Sequence, residues 1–265
     1  NLDIAKRECR FQLKTTIIED NYILSQRTAF DRDLFAQESL RQYDLIIGNP
    51  PYKKIGKDAL EALAIPEVCY GAPNLYFLFA AMGIKNLKDD AEMVYIIPRS
   101  WTSGAYFEKF RKFLFSHACI EYIHLFESRN KVFDKESVLQ ETMIVKFKKN
   151  TRFPSCITIS TSATNKDFSD LHKLDVPYQV VVSDNHYYVH LVTDEEEVKS
   201  LQSINHFKNT LVDLGLKMKT GLVVDFRSRE LLRDSEDDST IPLIYSMHIK
   251  DGRVRFPQGK EKEYI

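Results

Sequence analysis

Four short apolar runs, "DLII" (44–47), "MVYIIP" (93–98), "IEYIHLF" (120–126) and "ETMIVKF" (141–147), limit what this chain can become. Each is rich in branched residues and too short for a membrane span, so each reads as a strand with little or no solvated face. Between them lie stretches with helical spacing. Leu75, Leu78, Phe79 and Met82 form one apolar stripe, and residues 105–116 set Phe107, Phe110 and Leu114 against Glu108, Lys109 and Lys112. Strand and helix in alternation predict a mainly parallel sheet with helices on its faces, an α/β fold. At 265 residues with 43% hydrophobic and 12% aromatic content, the chain has material for a substantial core.

The surrounding segments are less regular. Residues 3–13 are helical in pattern, Thr15–Leu24 reads as strand then loop, and 27–42 as a short surface helix. The stretch "KKIGKDALEALAIPEVCYGAPN" reads as a long, partly mobile connection. Composition shifts near Thr151. "SCITIS", "YQVVVS" and "HYYVHLV" predict short strands, the last two joined as a hairpin across "SDN", and Thr193 with Glu196 has the pattern of a capping box opening a helix. The expected division is therefore 1–150, an α/β domain, and 151–265, a smaller strand-rich α+β domain that includes "KTGLVVDFRSRELL" and "IPLIYSMHI". Cys9, Cys69, Cys119 and Cys156 are scattered without paired spacing, which fits a reducing cytoplasm and offers no zinc site. The histidines show no metal spacing. No segment is long and apolar enough for a membrane helix, and a formal charge of −1 means that any basic surface is local.

The four residues after "DLIIG" carry the chemistry. Two prolines can continue neither a ladder nor a helix, so Asn49, Pro50, Pro51 and Tyr52 form a rigid loop at a strand end, where open α/β sheets bind ligands. An exocyclic amine on a heteroaromatic ring is a weak nucleophile because its lone pair is delocalised. Two acceptors on its hydrogens, the Asn49 side-chain oxygen and the Pro50 carbonyl, would favour a pyramidal nitrogen. Tyr52 would stack on the ring and hold it in line.

"DLIIGNPPY" resembles the catalytic motif of the N6-adenine DNA methyltransferases of restriction–modification systems. "APNLYFLFAAMGIKNL", "AEMVYIIPRSW", "YFEKFRKFL", "IEYIHLF" and "KVFDKESVLQETMIVKF" resemble, in order, later segments of that family, including type IIG-like enzymes that join modification and cleavage in one chain. The resemblance implies a Rossmann-like methyltransferase sheet with S-adenosyl-L-methionine as cofactor and double-stranded DNA as partner. It further implies a fused or associated restriction endonuclease, a prokaryotic setting, and a target-recognition domain beginning after residue 150. It gives Asn49 and Pro50 the target amino group and Tyr52 the flipped adenine. Phe133 is either the aromatic on the other face of the base or a core residue at a strand start. Asp20, in "IIEDNYIL", is either the acid that binds the cofactor adenine or a loop acid starting a turn. Lys53, Lys54 and Lys57 would meet phosphates or form a solvated face; Arg227 and Arg229 would read guanine or pair on the surface. The family's glycine-rich cofactor loop has no counterpart ahead of "IIEDNYIL". The chain is therefore expected to be a piece of a longer protein, binding the cofactor poorly by itself. The alternatives are methylation of another planar nitrogen, a protein glutamine or a ribosomal RNA guanine, and a non-catalytic DNA-recognition module.

Overall fold

The computed structural model describes residues 14–30, 41–126, 141–163, 168, 171–183, 186–219 and 221–265. The helix expected over 3–13, most of the one expected over 27–42, and Phe133 lie outside these residues. The chain divides into two compact units, Asn1–His206 and Phe207–Ile265.

The first unit is built on a six-stranded mixed sheet, an α/β fold of Rossmann-like type. Its elements run α1 (Tyr22–Ser25), β1 (Tyr43–Gly48), α2 (Leu60–Ala64), α3 (Leu75–Asn86), β2 (Leu87–Pro98), α4 (Glu108–His117), β3 (Cys119–Phe126), β4 (Thr142–Lys148), β5 (Cys156–Ser162), β6 (His172–Pro177), α5 (Tyr178–Val181) and α6 (Glu195–Ile204). The spatial order is β1-β2-β4-β3-β5-β6. Only β1–β2 and β3–β5 are parallel. The sheet is thus mixed where the sequence pattern predicts a mainly parallel one. A parallel neighbour needs a crossover with a helix, and β2 reaches β3 through α4; β4 then inserts antiparallel between them, pairing Ile96 with Ile144 and His124 with Ile144.

Burial alternates along β2. Ala91, Met93, Tyr95 and Ile97 are buried, and α3 packs on their side. α3 is buried nearly all round, Leu78 and Met82 completely. Gly83 permits the close approach, since a Cβ there would lie 2.6 Å from Met93 Sδ. Gly48 does the same at the end of β1, where a Cβ would lie 2.8 Å from the Tyr95 ring. The opposite face carries Glu92, Glu121 and Lys146, with Lys146 Nζ 2.7 Å and 3.0 Å from the two carboxylates.

Several local expectations are corrected. "DLII" is a strand but not a buried one. β1 pairs with β2 alone among the described residues, leaving Leu45 51% and Ile47 74% exposed. Thr15–Ile18 forms no strand, and the chain then enters α1, where Asn21 Oδ1 accepts the Leu24 N–H. The connection after Tyr52 is ordered, with α2 and a 3₁₀ turn burying Ala62, Ile65 and Val68. "YQVVVS" turns helical immediately after Pro177, and the strand is the preceding "HKLDVP". "HYYVHLV" keeps one bridge, Val182–Val189, so the expected hairpin survives only beside its turn. The cap of α6 is shifted by one residue: Asp194 accepts from Glu197 N, and the Glu197 carboxylate accepts from Thr193 N.

The change in composition at Thr151 does not coincide with the structural division. β5 extends the main sheet along β3, and β6 follows it. Among the described residues, the unit from Phe207 is also poor in strand, with only β7 (Ile249–Lys250) and β8 (Arg253–Val254). A polar knot is buried there. The Tyr245 N–H donates to His248 Nδ1 (2.8 Å), so Nε2 carries the proton and lies 2.8 Å from Glu263 Oε1. Burial opposes the Glu263 charge, yet hydrogen bonds from His248 and from the backbone of Lys260, Gln258 and Gly259 outweigh it and hold the carboxyl down to about 2, from 4.5. A lowered folded-state value stabilises above the unfolded value and is lost as pH falls. Titration from pH 4.5 to 2, followed by the Gln258 and Gly259 amide resonances, is therefore expected to loosen this unit progressively. Glu263→Gln should flatten that dependence.

Candidate functional site

The Asn49–Tyr52 loop leaves the carboxyl end of β1, with Pro50 buried and Asn49 and Pro51 exposed. It borders an open hollow of about 420 Å³ that wraps the edge of β1 and is walled by Tyr22, Phe79 and Tyr95 along with Leu45 and Ile47. Tyr22 and Phe79 are tilted neighbours with ring centroids 5.5 Å apart. Volumes of this order and apolar walls with a few polar groups at the rim suit small-molecule binding.

Tyr52 folds back over the sheet end. Its hydroxyl lies 2.9 Å from Asn49 Oδ1 and 3.0 Å from the Ile96 carbonyl of β2, and its ring meets Tyr76 edge-on at 6.2 Å. Tyr76 in turn lies 3.1 Å from Ser100 Oγ. The chain after the loop is clamped to the start of α3: Ile55 N donates to Pro73 O (2.8 Å), and Leu75 N donates to Lys53 O (2.9 Å). Tyr106 hydrogen-bonds the Ala72 carbonyl, and Lys54 Nζ stands 5.9 Å from the Tyr106 ring centre.

Two cationic anchors, both missed in the sequence pattern, hold the segments behind the loop. Arg111 of α4 is fully buried and donates to the carbonyls of Trp101, Ser103, Gly104 and His186 at 3.0–3.1 Å, with the Tyr188 ring 4.7 Å away. Its place four residues after Phe107 and three before Leu114 puts it on the apolar face of the helix, a signal that was available. Arg99, just after β2, donates to the Phe126 carbonyl (2.6 Å) and the Thr142 carbonyl (3.4 Å) and lies 3.5 Å from Glu141.

The other predicted residues lie in different settings. Asp20 is exposed, accepts from Asn21 N (2.7 Å), and is not part of the hollow's wall, although Tyr22 two residues on is. Lys53, Lys54 and Lys57 are exposed. Arg227 and Arg229 belong to the second unit. Arg227 lies over the Phe226 ring (5.5 Å), and Arg229 lines a hollow of about 570 Å³ with Tyr245, Lys260 and Lys262. Among the histidines, His124 is buried between two serine hydroxyls, Ser160 Oγ at 2.8 Å and Ser162 Oγ at 3.0 Å, and burial lowers its pKa, with Arg99 adding to the effect. No helix among the described residues is long and apolar enough to cross a membrane.

Residues 2–133 match the family described as Eco57I restriction-modification methylase. The type II methyltransferase M.PstI of Providencia stuartii is 33% identical over 267 residues, covering 99% of this chain and 52% of that protein. M.BsuBI of Bacillus subtilis, also a type II methyltransferase, is 32% identical over 254 residues, covering 95% and 50%. Among solved structures, the type IIG restriction endonuclease BpuSI is similar with a TM-score of 0.41 at 18% identity, covering 52% of this chain and 20% of that one. The chain spans about half the length of the curated relatives it matches. Residues 2–133, which carry the Asn49–Tyr52 loop, are thus similar to the Eco57I restriction-modification methylases.

Proposed function

We propose that the protein carrying this chain transfers a methyl group from S-adenosyl-L-methionine to the N6 nitrogen of an adenine flipped out of duplex DNA, as the modification activity of a restriction–modification system in a prokaryotic cytoplasm. The observation that carries this reading is the Asn49–Tyr52 loop, whose Asn49, Pro50 and Pro51 line an aromatic-walled hollow beside β1. The match of residues 2–133 to the methylase family and the two type II methyltransferase relatives support it.

The hollow fits the cofactor. Its volume of about 420 Å³ and the Tyr22 and Phe79 rings suit a planar purine, and Asp20 borders it in sequence. When bound, S-adenosyl-L-methionine supplies a methyl on a sulfonium, open to direct displacement without a metal or a covalent enzyme intermediate. The protein's part is orientation. Asn49 and Pro50 accept the two amino hydrogens, concentrating the lone pair on nitrogen, and Tyr52 stacks on the base. Transfer would leave the cofactor as a neutral thioether, while Asn49 and Pro50 hold the nitrogen that would release one proton. Phe133 is assigned to the second face of the base. Lys53, Lys54 and Lys57 are assigned to phosphates beside it, and Arg227 and Arg229, in the unit from Phe207, to reading of the target sequence.

Incubating the protein with methyl-labelled S-adenosylmethionine and mixed genomic DNA should give label that digests to N6-methyladenine. Label on ribosomal RNA or on protein glutamine would move the reading to another planar nitrogen. DNA binding without label on any substrate would leave a recognition module.

A further inference from the structure

The Tyr52 hydroxyl touches two atoms that are both drawn as acceptors, Asn49 Oδ1 at 2.9 Å and Ile96 O at 3.0 Å. A phenol has one proton to donate. The Ile96 carbonyl can only accept, whereas the Asn49 carboxamide presents either oxygen or nitrogen on the same side after a half-turn about its Cβ–Cγ bond. Both contacts are hydrogen bonds at once in one arrangement: Tyr52 O–H donates to Ile96 O, and Asn49 Nδ2–H donates to the Tyr52 oxygen. Asn49 Oδ1 then faces away from Tyr52, with its lone pairs open. The opposite arrangement sets two acceptors against one proton.

We propose that the Tyr52 hydroxyl is a positioning group: anchored on Ile96 O, it fixes the Asn49 amide with nitrogen toward the ring and oxygen outward as the acceptor. A Tyr52 that only stacks needs no hydroxyl, so phenylalanine would serve equally. The anchor also ties the loop to β2, since Ile96 belongs to the central part of the sheet through its pairing with Ile144. The consequence for rate rests on the methyl-transfer reading; the orientation of the amide does not. With the amide free to turn, an amine approaching Asn49 meets N–H donors part of the time, and the acceptor geometry must be re-formed in each turnover.

The test uses Tyr52→Phe in the full protein labelled with ¹⁵N-asparagine, with the Asn49 side-chain amide assigned by its disappearance in Asn49→Ala. In Tyr52→Phe the Asn49 NH₂ pair should move toward the position of a solvent-exposed amide and exchange faster. The single-turnover methyl-transfer rate should fall about tenfold, the worth of one neutral hydrogen bond, with DNA affinity unchanged. An Asn49 amide resonance that stays in place would overturn the proposal. So would a transfer rate equal to that of the parent. If the parent itself transfers no methyl group while the Asn49 resonance still moves, the hydrogen-bond arrangement stands and the reading of the site as a methyltransferase fails.

Discussion

Replacing Asn49 by alanine is expected to lower methyl transfer roughly 10²–10³-fold, by analogy with removal of a single pre-aligned hydrogen-bonding group from other active sites. Asn49 is exposed and its neighbours Gly48, Pro50 and Pro51 fix the backbone, so the substitution should leave the fold and its thermal midpoint nearly unchanged. The loss should sit in the rate of transfer, with DNA affinity largely retained, because the acceptor is needed most as the nitrogen becomes pyramidal and gains positive charge. Single-turnover transfer and DNA binding, measured on the same preparations, separate these quantities. An alanine variant that transfers at the parental rate would remove Asn49 from the chemistry and with it the central argument for this site.

The second large effect is on stability. Arg111 is a fully buried cation solvated by four backbone carbonyls. Arg111→Met removes the donor that joins these four carbonyls, leaves the buried Trp101 carbonyl without it, and gives up the contact with the Tyr188 ring. The expected cost is roughly 3–5 kcal/mol, placing it among the larger single-site effects. For a unit of this size that is a fall in Tm of roughly 6–20 °C. The damage should spread in a definite direction. The segment Trp101–Gly104 would lose its hold on α4, and it leads directly into Tyr106, which supports Ala72 beside the Lys53–Leu75 clamp. Thermal unfolding measures the loss, and a midpoint unchanged to within a degree or two would show that these carbonyls find other donors.

The strands "MVYIIP", "IEYIHLF" and "ETMIVKF" were legible as short runs of branched apolar residues, and the two main helices by the spacing of theirs, α4 amphipathic and α3 buried nearly all round. The loop was legible for a different reason: adjacent prolines exclude ladder and helix and leave only an aimed turn. What local patterns missed was set by contacts between distant segments. "DLII" reads as buried because branched residues are usually covered, yet its exposure depends on which strands lie beside it. The insertion of β4 between β2 and β3 has no local signature, since an antiparallel strand and a parallel one carry the same alternation. "YQVVVS" has strand-forming residues throughout, but the proline before it ends the ladder and starts a helical turn. The aromatic wall of the hollow draws Tyr22, Phe79 and Tyr95 from three separate elements. The His248–Glu263 pair spans fifteen residues with no repeating pattern to reveal it.

The place of β4 also orders events while the chain is being made. β2 and β3 emerge first, but neither is the other's neighbour: the gap between them can be filled only by Thr142–Lys148, synthesised later. Until then β2, already beside β1, and β3 each keep one unpaired edge. The central gap is therefore filled by β4 after β2 and β3 are made and before β5 and β6 extend the far edge. Pauses or cuts between Phe126 and Thr142 would leave a species whose exposed edges invite pairing with other chains.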